Sequence, residues 1–180
     1  MTETMTSPKL TISIPTQAML RGFAAIRIFF GLDWLSNALA KLIDKMNYDG
    51  GFITFSLVNR GVANGILHQG VMSTKIAPLR WFYGEVVLPH FGFFGWLLTV
   101  AELAIAIGLL FGIFSRLAAT GGLLLLAPIW LMLFTTDQYL WTYPLDVLPL
   151  VLLAVVPTGR YLGLDSRISA RLGRHRWPLG

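Results

Sequence analysis

Cysteine is absent from all 180 residues. That removes disulfides, thiolate nucleophiles, iron–sulfur ligation and Cys-bound zinc from the chemistry open to this chain. Charge is scarce as well: Asp, Glu, Lys and Arg together make up 13% of the residues, about half of the roughly 25% usual in a soluble domain. Histidine is limited to His68, His90 and His175. All three fall outside the apolar runs described below, so haem held between two histidines inside a membrane has no basis in this chain. The glycine-rich, P-loop, HExxH and GxSxG patterns are also missing. Nucleotide, phosphate, zinc and acyl-transfer chemistry therefore lack a motif, and no catalytic or metal-ligating residue can be assigned.

Apolar sequence dominates what is there, with 55% hydrophobic residues and a mean hydropathy of +0.66. Between Phe93 and Thr135 the run is almost unbroken, interrupted by Ser115-Arg116 and by one carboxylate, Glu102. Each half is about 20 residues, the length that crosses a ~30 Å hydrocarbon core as a helix. Two further apolar segments flank this pair. The expected fold is all-α, an integral membrane four-helix bundle, with spans at about 17–43, 93–114, 117–135 and 144–157. Pro128 and Pro149 lie inside the third and fourth spans and should bend them. The first is too long for a cleaved signal peptide and ends in Lys41-Leu-Ile-Asp-Lys45 rather than in small residues.

Three further parts complete the organisation: an N-terminal segment 1–16, a long loop 44–91, and a basic tail 161–180. Gly50, Gly51, Gly61, Gly65 and Gly70 punctuate the loop, but it also carries Phe52, Phe55, Trp81, Phe82 and Tyr83, too much apolar surface for a disordered linker. Short amphipathic helices on the bundle or in the interface are expected there.

Basic residues set the orientation. Lys9, Arg21, Arg116, Arg160, Arg167, Arg171, Arg174 and Arg176 lie on one side; Lys45, Arg60, Lys75 and Arg80 lie on the other. Eight against four places both termini in the cytoplasm of a multi-pass plasma-membrane protein. Tyr139, Trp141 and Tyr143 then fall in the outer aromatic belt. The net charge of +5 is concentrated beside spans and in the tail, where anionic lipid explains it and nucleic acid is not needed as a partner.

Polar residues inside the spans are the candidate site. In the first span Arg27, Asp33, Asn37 and Lys41 fall within one arc of about 120°, with Phe30 and Trp34, while the opposite face is apolar. The polar arc should face the bundle interior. Lys41, near the end of its span, can reach water by snorkelling. Arg27 and Glu102, each about nine or ten residues inside a span, are expected to pair across helices. Ala104, Gly108 and Gly112 form a small-residue stripe for close helix packing. Asp146 follows Pro144 and complements a helix N-terminus.

The stretch Glu102-Leu-Ala-Ile-Ala-Ile-Gly108-Leu-Leu-Phe-Gly112-Ile-Phe-Ser-Arg116-Leu-Ala-Ala resembles the signature of DoxX-like membrane proteins. The first span, with Arg27, Gly31, Trp34 and Lys41, is similar to that family's opening helix. Ala77-Pro-Leu-Arg-Trp81-Phe-Tyr with Val86-Val-Leu-Pro89 resembles the DoxD branch, the small subunit of a thiosulfate:quinone oxidoreductase. The likeness runs over most of residues 20–160. It implies a four-helix membrane protein attached to partner subunits of a quinone-linked redox complex, and no catalytic residues carry over from it. With no cysteine, a covalent sulfur intermediate cannot form on this chain. A quinone site needs an apolar slot, a hydrogen-bond donor and a proton route. Arg27, Asp33, Trp34, Asn37, Lys41, Trp81 and Glu102 are the candidates for it, with quinone as the non-covalent cofactor. The competing expectations are a structural or assembly protein without its own activity, and a small transporter using the same carboxylates.

Overall fold

The computed structural model describes residues 16–45, 47–136, 142 and 144–172. It is predominantly helical. The elements, in order, are α1 (Thr16–Ile43), a hairpin of β1 (Asn47–Asp49) and β2 (Thr54–Ser56), α2 (Arg60–Ser73) and α3 (Ala77–Trp81). A π-helical turn at Phe82–Val87 then leads into α4 (Phe91–Phe111), α5 (Ser115–Leu133), α6 (Pro144–Val155), a 3₁₀ turn at Thr158–Arg160 and α7 (Asp165–Leu172). The expected aromatic belt at Tyr139, Trp141 and Tyr143, residues 1–15, and Arg174 and Arg176 lie outside the described residues.

Three helices, α1, α4 and α5, are long and apolar enough to cross a membrane. α6 is apolar but has 12 residues, about 18 Å of helix. The long loop between α1 and α4 is structured: α2 and α3 are the short helices expected there, and the antiparallel hairpin (Asn47 opposite Ser56) was not expected.

The break between α4 and α5 falls at Gly112 rather than at Ser115. Gly112 adopts a left-handed conformation (φ +61°) that ends α4, which a residue without Cβ does at little steric cost. Of the small-residue stripe, Gly108 sits against Ala118 and lets α4 and α5 close on each other, whereas Ala104 is exposed. α1 runs antiparallel to α4, and Gly31 sits directly on the backbone of Leu110. The main core is Phe30, Trp34, Ile105, Ala106, Leu109, Ala119, Leu150 and Leu153, drawn from α1, α4, α5 and α6.

Gly31 against Leu110 and Lys41 against Glu102 fix the register of α1 on α4. By that register α1 ends level with the middle of α4, which continues about 14 Å further at 1.5 Å per residue. α2 occupies that extra level, where Arg60 stacks over Trp96 at 4.1 Å.

Candidate functional site

Glu102 is not paired with Arg27, as expected; it is paired with Lys41. The Nζ of Lys41 lies 2.9 Å from Oε2 of Glu102, with side chains 2% and 10% exposed. The correction follows from the register. Depth counted from the ends of each helix puts Arg27 and Glu102 together, but α1 is displaced along α4, so its last turn meets the middle of α4. For the same reason Lys41 does not reach water. An ammonium held at that depth requires a counter-charge, and Glu102 supplies it.

Arg27 occupies a separate polar knot at the Gly112 end. Its guanidinium donates to the carbonyls of Leu162 (2.8 Å) and Thr158 (3.3 Å) and lies within the field of Asp165. The Asp165 carboxylate is fully buried. It accepts from the backbone N–H of Phe114 (2.8 Å) and of Ser115 (3.1 Å) and from the Ser115 hydroxyl (3.1 Å), so it caps the start of α5. The Ser115 oxygen in turn accepts from the N–H of Gly159. A side chain at Gly112 would collide with the Arg27 guanidinium, and one at Gly159 with Asp165. The described part of the basic tail is therefore docked on the end of α4: Leu164 and Asp165 donate backbone bonds of 2.9 and 2.8 Å to Phe111 and Gly112.

The remaining candidates are spread out. Asn37 donates to the carbonyl of Asp33 and accepts, at 3.4 Å, from the N–H of Val58, which ties the exit of the hairpin to α1. Asp33 is exposed on α1. Trp34 is buried in the main core, with its ring edge against Gly122, and Trp81 is 64% exposed. The structure thus joins Lys41 to Glu102, places Arg27 elsewhere, and gives Trp34 and Trp81 no shared wall.

A cavity of about 490 Å³ lies between α4 and α5 toward the Phe91 end, bounded by the end of α1, α2 and the π-helical turn. Its lining is apolar apart from Lys41 and Tyr83. The neighbours of Trp81, namely Phe82 and Tyr83, are the aromatic residues that line it, together with Phe91 and Phe94. Burial pushes the Tyr83 phenol up, so it stays a protonated donor at neutral pH. An ammonium whose other N–H directions have no partner among the described residues thus stands in the wall of an apolar chamber. That arrangement can hold an uncharged acceptor atom and pass a proton to it.

Sequence reasoning missed Asp165 and Tyr83. The signal for Asp165 was present: it is the single carboxylate between Val147 and Gly180, amid five arginines after Gly159. No protein-family model, curated protein or solved structure matches the chain.

Proposed function

We propose that this chain is an integral membrane subunit of a quinone-linked redox complex of the plasma membrane, a DoxX-like protein of the DoxD type. The single observation that carries the reading is Lys41, ion-paired to Glu102 behind it, standing in the wall of a cavity that is apolar apart from it and Tyr83. In this reading α6 is the fourth crossing, completing a four-helix bundle. The Gly112 end faces the cytoplasm with both termini, and the Phe91 end faces outward.

The residues present fit a quinone. A quinone, when bound, accepts two electrons and two protons. Lys41 would direct an N–H at a carbonyl oxygen of the head and pass that proton to it as electrons arrive, and Glu102, ion-paired behind it, would return Lys41 to its charged form by relaying protons taken up from solvent, the source of both protons of the reduction. The chain has neither cysteine nor a histidine in its long apolar helices, so the electrons are delivered by a partner subunit.

Glu102→Gln tests this directly, since it keeps the shape of the side chain and removes its titration. In membranes containing the assembled complex, quinone reduction should fall by about 10²-fold while the subunits still co-purify. Undiminished quinone reduction in a normally assembled complex would exclude the role. The second reading, a subunit that only scaffolds its partners, is favoured by the Arg27–Asp165 knot, which is buried, polar and borders no described cavity.

A further inference from the structure

A second cavity, of about 400 Å³, opens where α1 ends and α2 begins. Its wall is unlike that of the first: Asp44, Asn59, Arg60 and Asn64 line it together with Phe91 and Trp96. Each charged residue is placed by a local device. Asp44 follows the last turn of α1 in a left-handed conformation (φ +53°), which Asp adopts more readily than most residues. It is held by a 3.1 Å bond from Asn59 Nδ2 to its Oδ1, and Asn59 also caps α2 by accepting from the Val62 N–H. Arg60 is the first residue of α2, and its guanidinium carbon lies 4.1 Å from the centre of the Trp96 ring. That contact positions the cation without using its N–H donors.

The pocket therefore carries both signs of charge, and neither is answered. Among the described residues Arg60 donates no hydrogen bond, Oδ2 of Asp44 accepts none, and neither residue joins an ion pair. Its depth is that of a lipid headgroup. Residues 22–43 of α1 make about 33 Å of helix, one hydrocarbon thickness. Charge resumes just beyond them at Asp44 and Lys45, and Trp96 falls in the interfacial belt that indoles favour. From Trp96, Val100, Ile107 and Phe111 continue along one face of α4 toward its other end, all of them exposed. An apolar stripe thus runs into the membrane from a doubly charged pocket.

We propose that this pocket binds the zwitterionic headgroup of a membrane phospholipid of the phosphatidylethanolamine type, with its phosphate on Arg60, its ammonium on Asp44 and an acyl chain along the Val100 stripe. Charge selects the headgroup. A phosphate alone answers Arg60 but repels Asp44, which disfavours anionic lipids such as phosphatidylglycerol. The quaternary ammonium of phosphatidylcholine brings charge to Asp44 but no N–H, and Arg60 already occupies a face of Trp96 that could hold it. A primary ammonium donates to Oδ2 of Asp44 in a charge-assisted bond, with the Asn64 amide in the same wall as a further acceptor. The site uses neither Lys41 nor Glu102 and stands apart from the redox reading.

The full chain, delipidated in detergent and titrated with dioleoyl phosphatidylethanolamine, phosphatidylcholine or phosphatidylglycerol, can be followed by native mass spectrometry. One phosphatidylethanolamine should bind saturably and about tenfold more tightly than either of the others, the effect of one hydrogen bond to a charged group. Asp44→Asn suits the left-handed backbone and keeps an oxygen for Asn59, so it should fold normally, bring phosphatidylethanolamine down to the affinity of phosphatidylcholine and leave phosphatidylcholine as it was. Arg60→Gln should weaken all three lipids by about tenfold; if it fails to fold, Asp44→Asn carries the test. Equal affinities for the three lipids in the wild type, or a preference that survives in folded Asp44→Asn, would overturn the proposal. Free phosphoethanolamine, equimolar with the lipid, should not displace it, because the stripe holds the chain; displacement would assign the pocket to a soluble amine-phosphate and overturn the lipid.

Discussion

Replacing Asp165 by alanine should be among the most damaging single substitutions in this chain, although the residue lies in a segment that reads as a basic tail. Two losses coincide. The first turn of α5 loses the acceptor for the N–H groups of Phe114 and Ser115, a capping interaction ordinarily worth about 0.5–2 kcal/mol. Arg27, fully buried, also loses its nearby negative charge. Two carbonyls remain as its acceptors, but its Nε has no hydrogen-bond partner among the described residues, so the guanidinium has little else to lean on. No direct ion pair joins Arg27 to Asp165, so the loss of this nearby counter-charge is bounded by the cost of breaking a buried pair, about 3–5 kcal/mol. Because one carboxylate serves both purposes, the two figures overlap, and the expected total is about 2–5 kcal/mol. Asp165→Asn, which keeps an acceptor oxygen but no charge, should recover only the smaller, capping part. The measurement is reversible unfolding in mixed micelles, followed by tryptophan fluorescence, on Asp165→Ala, Arg27→Leu and the double mutant. The double mutant should be more stable than the sum of the single losses by at least 1 kcal/mol, because neither charge is then left alone. Arg27→Leu combined with Glu102→Leu should be additive within about 0.5 kcal/mol, as about 15 Å of α4 separates their levels. A loss below about 1 kcal/mol for Asp165→Ala, or coupling of Arg27 to Glu102 instead, would refute the assignment of the knot.

Two other expectations can be checked with the same preparation. In this cysteine-free chain, Ser56→Cys should react with an impermeant maleimide on intact cells and Ser166→Cys only after permeabilisation, both positions being exposed; the opposite pattern would invert the topology, and Ser115, buried under Asp165, is unsuitable as a reporter. Gly112→Ala should destabilise by about 3 kcal/mol or more, combining left-handed backbone strain with displacement of the Arg27 guanidinium, while Gly22→Ala, exposed with nothing near its Cβ, should be neutral or stabilising by up to about 1 kcal/mol; equal effects in thermal melts would show that the Gly112 geometry is not required.

Helical content and the apolar helices were legible because hydrophobic length is a local property. The first span ends at Ile43 as read, and the second and third differ from the reading by two or three residues at each end. The shift at the α4–α5 turn has a cause visible in the sequence, since Gly112 was available to take the left-handed conformation three residues before Ser115. The partner of Glu102 was not legible. Counting depth from the ends of each helix assumes that all helices start at one level, and Gly31 on Leu110 sets α1 about half a helix out of step with α4. Asp165 was hidden for a different reason. Its contacts to Phe114 and Ser115 join residues about 50 positions apart, and spacing rules see only one helix at a time. Trp81 itself stays exposed and off the cavity, while the π-helical turn just after it brings Phe82 and Tyr83 to the wall.

The Arg27 knot also bears on how the chain is made. Arg27 enters the nascent membrane domain well before its acceptors exist, because the Thr158 carbonyl is synthesised 131 residues later and that of Leu162 135 residues later. Through most of translation the first helix carries a charge worth about 2.5–3.5 kcal/mol against insertion, and α5 starts without its carboxylate cap. The bundle can thus be threaded early but is latched only when the turn at Gly159 and the Asp165 segment emerge. Truncation before that point leaves a chain whose spans are all present and whose most buried cation is unanswered, the kind of product that membrane quality control removes.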